Sequence, residues 1–342
     1  MVDVNAHIHT PYSFSAFSSI GEALDHAEAE GVKVVGINDF YSTDGYAEWK
    51  AGCETRGLFP LFGIEFISLN AEDQAAGLRV NDPNNPGRTY LSGKGLAFPV
   101  KLSGEPARQL EAVRAEANAQ VESMCAKLNG WLKAEGYDLV LDFDEIREKY
   151  TMGSIRERHL AKALRVALYP DADNPAKLEN DLRSKLLKAG GPAFVPEDPK
   201  AFLPMETVQR IIEAAGGIPT YPFLGDDAKG NFTDFEADLQ KAADILKQRG
   251  FHSVEFITTR NTTAVLESYS SYLEDEGFIV TFGSEHNTPA MEPVRLRTRD
   301  ASELSEKLKA VNWRGACAVA AHQAGLDSID AGAEIIQKSI NS

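Results

Sequence analysis

The chain is short of the residues that would staple it, anchor it or carry it onto nucleic acid. It has only three cysteines, Cys53, Cys125 and Cys317, an odd number spaced too widely for any paired-cysteine metal motif. That argues against a disulfide framework, and a reducing, cytoplasmic setting is expected. Positive charge is scarce, with 35 Lys and Arg against 51 Asp and Glu, a formal charge of -16. Such a chain repels phosphate backbones unless its basic residues gather locally, which disfavours a coating role on DNA or RNA. No run approaches the roughly 18 continuous apolar residues of a membrane span. The start, Met1 to His7, lacks the basic and apolar segments of an export signal, so no membrane partner is expected. Histidine is sparse too, with seven at positions 7, 9, 26, 159, 252, 286 and 322, and where they sit decides what metal chemistry is open to the chain.

What is present is an ordinary globular composition, 43% hydrophobic and 25% charged, in a chain long enough for one large barrel or two smaller domains. Val2 to His9 reads as a strand, Ile20 to Glu30 as a helix that Ser19 can cap and Gly31 stops, and Val32 to Ile37 as a second strand. Together they make a βαβ unit. Leu58 to Phe66 is a third strand, and further apolar runs follow helices at Tyr137 to Leu141, Gly217 to Tyr221, His252 to Ile257 and Phe278 to Phe282. This order predicts an α/β barrel or an open doubly wound sheet. Two stretches break it. Residues 71–104 read as a long turn-rich loop, and residues 157–215 as extra helices after a long charged one. The expectation is one domain over 1–342, with residues 145–215 a helical insertion over the active-site end.

His7 and His9 sit two apart at the end of the first strand, so both side chains leave one face and can grip one metal ion. Two histidines at alternate strand positions also arise by chance, and the other strand ends decide the matter. Asp39 follows Val34 to Asn38, Glu65 follows Leu61 to Ile64, and Glu285 and His286 follow Val280 to Ser284. Each is a metal-capable side chain just past an apolar strand, and in a β/α barrel such positions converge on one face. His26, His159, His252 and His322 are read as surface, capping or packed side chains.

With these residues the chain resembles the PHP (polymerase and histidinol phosphatase) domain family of metal-dependent phosphoesterases, in its branch of stand-alone phosphatases. The likeness runs through His7 to Ser13, then Gly36 to Asp39, where the family has Thr-Asp-His, and Gly63-Ile64-Glu65. It continues through Arg158 to Leu164, Gly216 to Pro219, and Gly283 to His286, where the family shows Gly-Ser-Asp-x-His. The resemblance implies a distorted seven-stranded β/α (TIM-like) barrel with metals at the C-terminal ends of its strands, hydrolysing phosphomonoesters with a metal-activated water. For this chain it implies one divalent ion, Zn, Mn or Fe, on His7, His9, Glu65 and Glu285, the last a Glu where the family has Asp. Positions for further metal ligands are degraded. Phe40 replaces the histidine beside Asp39, Tyr90 and Tyr221 stand where two others align, and Asn287 takes the closing position unless His286 serves it one residue early.

Asp39 could orient a ligand histidine or act as general base for the water, and His286 is the other candidate catalytic group. With a second metal lost, the grip on phosphate falls to protein donors. Arg88 and Lys94, in the long glycine-rich loop, and Arg156 and Arg158, at the start of a helix, are the candidates. Two readings of different class follow. One is a phosphoesterase acting on a small phosphorylated metabolite or nucleotide. The other is a PHP-fold protein that has lost catalysis and binds a phosphorylated or acidic ligand. Barrel hydrolysis of a carbon–nitrogen bond is a third, but the histidines as distributed do not supply its usual ligand set.

Overall fold

Seven segments become strands: β1 (Asp3–Ile8), β2 (Val32–Phe40), β3 (Phe59–Leu69), β4 (Arg88–Lys94), β5 (Ile218–Phe223), β6 (Ser253–Ile257) and β7 (Ile279–Gly283). The coordinates are a computed structural model that describes residues 1–196 and 198–341. The strands lie side by side in chain order. All neighbours are parallel except β4, which runs antiparallel to both β3 and β5. The sheet curls into a nearly closed barrel, because Ile8 forms a parallel bridge to Glu285 just past β7 and His9 N–H donates to Glu285 O at 2.8 Å. Gly283 is required at this seam, since a Cβ there would lie 2.2 Å from the His7 Cβ.

Parallel strands need crossovers, and helices supply them. They include α1 (Ile20–Ala29), α2 (Tyr46–Thr55) and the short α3 (Ala71–Ala75). Ser19 caps α1 as its sequence suggests, its hydroxyl accepting Glu22 N–H at 3.0 Å. Between β4 and β5 the chain leaves the barrel to form α4 (Gly104–Ala134), α5 (Phe143–Tyr150), α6 (Glu157–Leu168) and α7 (Pro175–Leu182). It then returns through α8 (Met205–Ala214), and α9 (Leu239–Gln248), α10 (Thr263–Asp275), α11 (Glu306–Gln323) and α12 (Ile329–Ile340) complete the outer layer. No helix among the described residues is long and apolar enough to cross a membrane. The three cysteines are buried and unpaired.

Two sequence expectations change places. Tyr137 to Leu141 is not a strand but an irregular link between α4 and α5, with Val140 82% exposed. The strand it stood for is β4, within the stretch read as a loop. Its run Arg88 to Lys94 is polar at Ser92 and Lys94 because those side chains face a polar barrel interior, so the apolar signal of a buried strand is missing.

The main core lies between the sheet and the outer helices. A second apolar cluster, drawn from residues 121–193, packs inside the inserted helices around Leu128, Leu132, Ile155 and Leu160. Helix α4 serves both, for Val113 belongs to the main core and Val121 to Leu132 to the second.

Candidate functional site

His7 and His9 come from the end of β1, and Glu65 from β3 opposite Ser92 of β4. All three are buried. Their facing atoms form a triangle, with His7 Nε2 to His9 Nε2 at 3.3 Å, His9 Nε2 to Glu65 Oε2 at 3.1 Å, and His7 Nε2 to Glu65 Oε2 at 3.8 Å. Tetrahedral ligands at their usual bond lengths from zinc stand about 3.3–3.4 Å apart, close to these edges.

Groups behind each ring fix which nitrogen carries the hydrogen. Glu255 Oε2 lies 3.0 Å from His7 Nδ1, and a carboxylate only accepts, so Nδ1 donates and Nε2 presents its lone pair. His9 Nδ1 lies 3.2 Å from Ser13 Oγ, whose own hydrogen goes to Asp39 Oδ1 at 2.5 Å, so His9 also donates from Nδ1. Glu65 Oε2 is buried with no hydrogen bond of good geometry. Three lone pairs thus converge, an arrangement that calls for a cation at its centre. A proton is drawn there as well. Burial lowers the basicity of His9, but Glu65, with Asp39 and Glu285, more than reverses this and raises its pKa. Asp39 accepts Thr10 N–H at 2.7 Å and the hydroxyls of Thr10 and Ser13 at 2.5 Å, so both its oxygens are engaged. Of the two roles the sequence leaves open, this geometry fits orientation of His9 through Ser13.

The sequence pattern does not point to Glu255, although a charged residue inside the apolar run of β6 is the signal that would find it. Fully buried, Glu255 meets Lys94 Nζ at 2.7 Å, His7 Nδ1, and the Ser92 hydroxyl. Burial would raise its pKa, but Lys94 and His7 hold it well below the ordinary carboxylate range. Lys94 is therefore not the loop phosphate ligand expected of it. Because β4 is antiparallel, its first residue Arg88 reaches the barrel mouth opposite Leu69, while Lys94 lies opposite Gly63, about 20 Å further along the strand. The Lys94 ammonium also donates to Ala6 O at 3.0 Å and Asn38 Oδ1 at 3.1 Å.

Beside the triangle opens a cavity of about 910 Å³, lined by Glu65, Glu285, Phe40, Tyr90 and the guanidinium-bearing side chains of Arg88, Arg156, Arg158 and Arg260. Phe40 stacks on His9 with centroids 5.2 Å apart, and Arg156 lies over Phe40 at 4.9 Å. Arg158 lies over Phe14 at 5.2 Å, and Arg88 over Phe202 at 4.7 Å. Burial, and then Arg183 beside it, pull Arg158 down to about 10, which leaves it charged at neutral pH. On the far wall Arg183 and Lys188 pair with Glu157 at 2.8 and 2.9 Å. Against its burial, Lys188, Arg183 and Arg156 hold Glu157 well below the usual carboxylate range.

Arg260 is the second functional candidate the sequence pattern misses. It ends the single turn Thr258–Arg260 after β6, and its Nη2 donates to Glu285 Oε2 at 2.6 Å. Asn287 Nδ2 donates to the same oxygen at 2.9 Å. Glu285 is thereby drawn out of the ligand set expected of it. Among the described residues, only His7, His9 and Glu65 bring ligand atoms close enough to share one ion.

The other candidates lie elsewhere. His286 points away from the cavity, with Nδ1 2.7 Å from Ser284 Oγ, Nε2 2.9 Å from Glu292 O, and its ring against Phe17. Both nitrogens are engaged, so it is not placed to move a substrate proton. The φ angles of Glu285 and His286, 64° and 56°, explain the departure, because two successive left-handed residues break strand alternation. Tyr221 is a core residue whose hydroxyl donates to Glu236 Oε1 at 2.8 Å. His159 caps α6, its Nδ1 accepting Arg156 N–H at 2.9 Å, and burial lowers its pKa to about 3.

No protein-family model matches the chain, and no curated protein matches it. Solved structures do. An amidohydrolase from Chromobacterium violaceum, with bound sulfate and no metal, superposes with a TM-score of 0.62 at 19% identity, covering 90% of this chain and 96% of that one. A protein from Bifidobacterium adolescentis assigned as a metal-dependent phosphoesterase superposes with a TM-score of 0.63 at 18% identity, covering 90% and 94%. At these identities the likeness is one of fold.

Proposed function

We propose that this chain is a metal-dependent hydrolase of phosphoric monoesters, acting on a small phosphorylated metabolite or nucleotide with one divalent ion, Zn, Mn or Fe. The observation that carries the reading is the convergence of lone pairs from His7, His9 and Glu65 beside a cavity walled by five arginines. An ion held there supplies Lewis acidity toward a phosphoryl oxygen and toward a water. The chain's own residues do the rest. Glu255, and Asp39 through Ser13, keep both imidazoles turned inward. Arg156 and Arg158 bind the anion, and the rings of Phe40 and Phe14 beneath them exclude water, which strengthens the attraction. The neighbours of the same fold, one named an amidohydrolase and the other a metal-dependent phosphoesterase, support hydrolysis as the class of chemistry.

The test is turnover of a panel of phosphorylated metabolites with added Zn, Mn or Fe. His9→Ala is expected to lower kcat/KM by more than about 100-fold, since even the partners of metal ligands are worth that order. No turnover with any of the three metals, or turnover untouched by His9→Ala, overturns the reading. A second reading is favoured by the commitment of Glu285 to Arg260 and by Phe40, Tyr90 and Asn287 at positions where further ligands would stand. It is a PHP-like barrel without catalysis that binds a phosphorylated or acidic ligand. Thermal stabilisation by such a ligand, in protein that purifies without metal and hydrolyses nothing, would select it.

A further inference from the structure

Arg260 differs from the other arginines of the cavity in how it is held. Its carbonyl accepts Arg299 Nη1 at 2.6 Å. The next residue, Asn261, is fully buried, accepts Asp226 N–H at 3.1 Å, and donates to the carbonyls of Leu224 and Ile257. The turn after β6 is therefore a rigid part of the barrel wall. Its side chain, by contrast, is 44% exposed and lines the cavity together with Glu65 and Glu285. The bond to Glu285 aims the guanidinium. Glu285 is itself fixed by Asn287 Nδ2 and by the barrel seam, where its N–H donates to His7 O at 3.0 Å and its carbonyl accepts His9 N–H at 2.8 Å. One short stretch of backbone thus registers the two histidines and Arg260 against each other. A guanidinium carries five N–H donors in one plane, and a bond through one nitrogen leaves others for an anion. Arg156 and Arg158, at the start of α6, belong to the inserted helices, whereas Arg260 shares its scaffold with His7, His9 and Glu65.

We propose that Arg260 is the catalytic cation that grips the phosphoryl oxygens, and that Glu285 is its positioning residue rather than a metal ligand. The proposal rests on the phosphoester reading. In the hydrolysis a water oxygen bonds to phosphorus as the bond to the ester oxygen breaks, the electron pair leaving with that oxygen. Water gives one proton to solvent and the departing oxygen takes one up, so ester and water become phosphate and alcohol. Arg260 transfers no proton. Its charge is set against the negative charge on the phosphoryl and departing oxygens.

Inorganic phosphate titrated calorimetrically into the protein as purified tests this, with the metal content of each sample measured by elemental analysis. The variants are Arg260→Ala, Arg260→Lys and Glu285→Gln. Phosphate affinity is expected to fall about 10- to 100-fold in Arg260→Ala, and less in Arg260→Lys, which keeps the charge but loses the planar fork. Metal content is expected to stay at the wild-type level in all three variants, with Glu285→Gln weakening phosphate several-fold. Unchanged phosphate affinity in an Arg260→Ala protein that melts like the wild type overturns the proposal. So does a loss of metal in Arg260→Ala large enough to account for the weaker binding, and a loss of metal in Glu285→Gln returns Glu285 to the ligand set and overturns its positioning role. If Arg260→Ala does not fold, Arg260→Lys carries the test. Should the wild type hydrolyse no phosphoester while its phosphate binding still depends on Arg260, the hydrolytic reading falls and the anion grip of Arg260 stands.

Discussion

Two carboxylates inside the same barrel have opposite needs. Glu255 is met by Lys94, His7 and Ser92, whereas one oxygen of Glu65 is buried without a good hydrogen bond. Removing one member of a buried ion pair leaves the other charge uncompensated, so Lys94→Met is expected to cost about 3–5 kcal/mol in urea unfolding. Lys94→Met combined with Glu255→Leu should recover part of that loss, and strict additivity of the two would contradict the pairing. For Glu65 the expectation concerns the ion. Added Zn or Mn should raise the melting temperature of the wild type, by the equivalent of about 2.7 kcal/mol at a hundredfold excess over Kd, and leave Glu65→Gln and His9→Ala unmoved. The three candidate ligands could be picked out in the sequence because each follows or sits within an apolar strand at a spacing that fixes its face. Glu255 and Arg260 were not, since each owes its role to partners distant along the chain: Lys94 and His7 for the first, Glu285 for the second. Of the adjacent pair Glu285 and His286, only the backbone angles tell which side chain faces the cavity.

At the scale of elements, the start of α6 carries two of the cavity's arginines and is held by a histidine cap. An ordinary histidine takes a proton near 6.5, but burial keeps His159 neutral in the folded chain down to about 3. Between those values the unfolded chain binds a proton that the folded chain refuses. The stability contributed here is present above about pH 6.5 and is lost as pH falls through that window. His159→Gln can still accept the Arg156 N–H without titrating, so its urea midpoint should drop less than that of the wild type between pH 7 and pH 4. Equal drops would remove His159 from the account. Strand β4 marks the limit of sequence reading at this scale. Periodicity finds strands whose two faces meet apolar neighbours, and a strand that turns Ser92 and Lys94 into a polar interior looks like a loop. The run at Tyr137 to Leu141 has the opposite fault, apolar residues with no sheet to join, of which Leu139 and Leu141 pack on the second core instead.

Over the whole molecule, two of the apolar clusters share the single helix α4, and the cavity lies where the inserted helices face the barrel mouth. Leu128→Ala, in the second core, is expected to cost about 2–5 kcal/mol locally. Hydrogen exchange should then show amides of α5 to α7 losing protection before those of the strands, with metal content unchanged. Simultaneous loss across the barrel would mean that the cores unfold as one. The alternation of strands and helices made an α/β sheet legible but left a barrel and an open doubly wound form equal, and the separateness of the second core was not legible, because a helical pattern shows that a face is buried and not what buries it. The order of the site residues along the chain also bears on how the protein is made. The three candidate ion ligands lie within the first 65 residues, while Glu255, Arg260 and Glu285 belong to the last strands to leave the ribosome. At typical rates of synthesis the interval is on the order of tens of seconds. A growing or truncated chain therefore lacks the seam that joins Ile8 to Glu285 and the stretch of cavity wall that Arg260 and Glu285 supply, until β7 docks against β1.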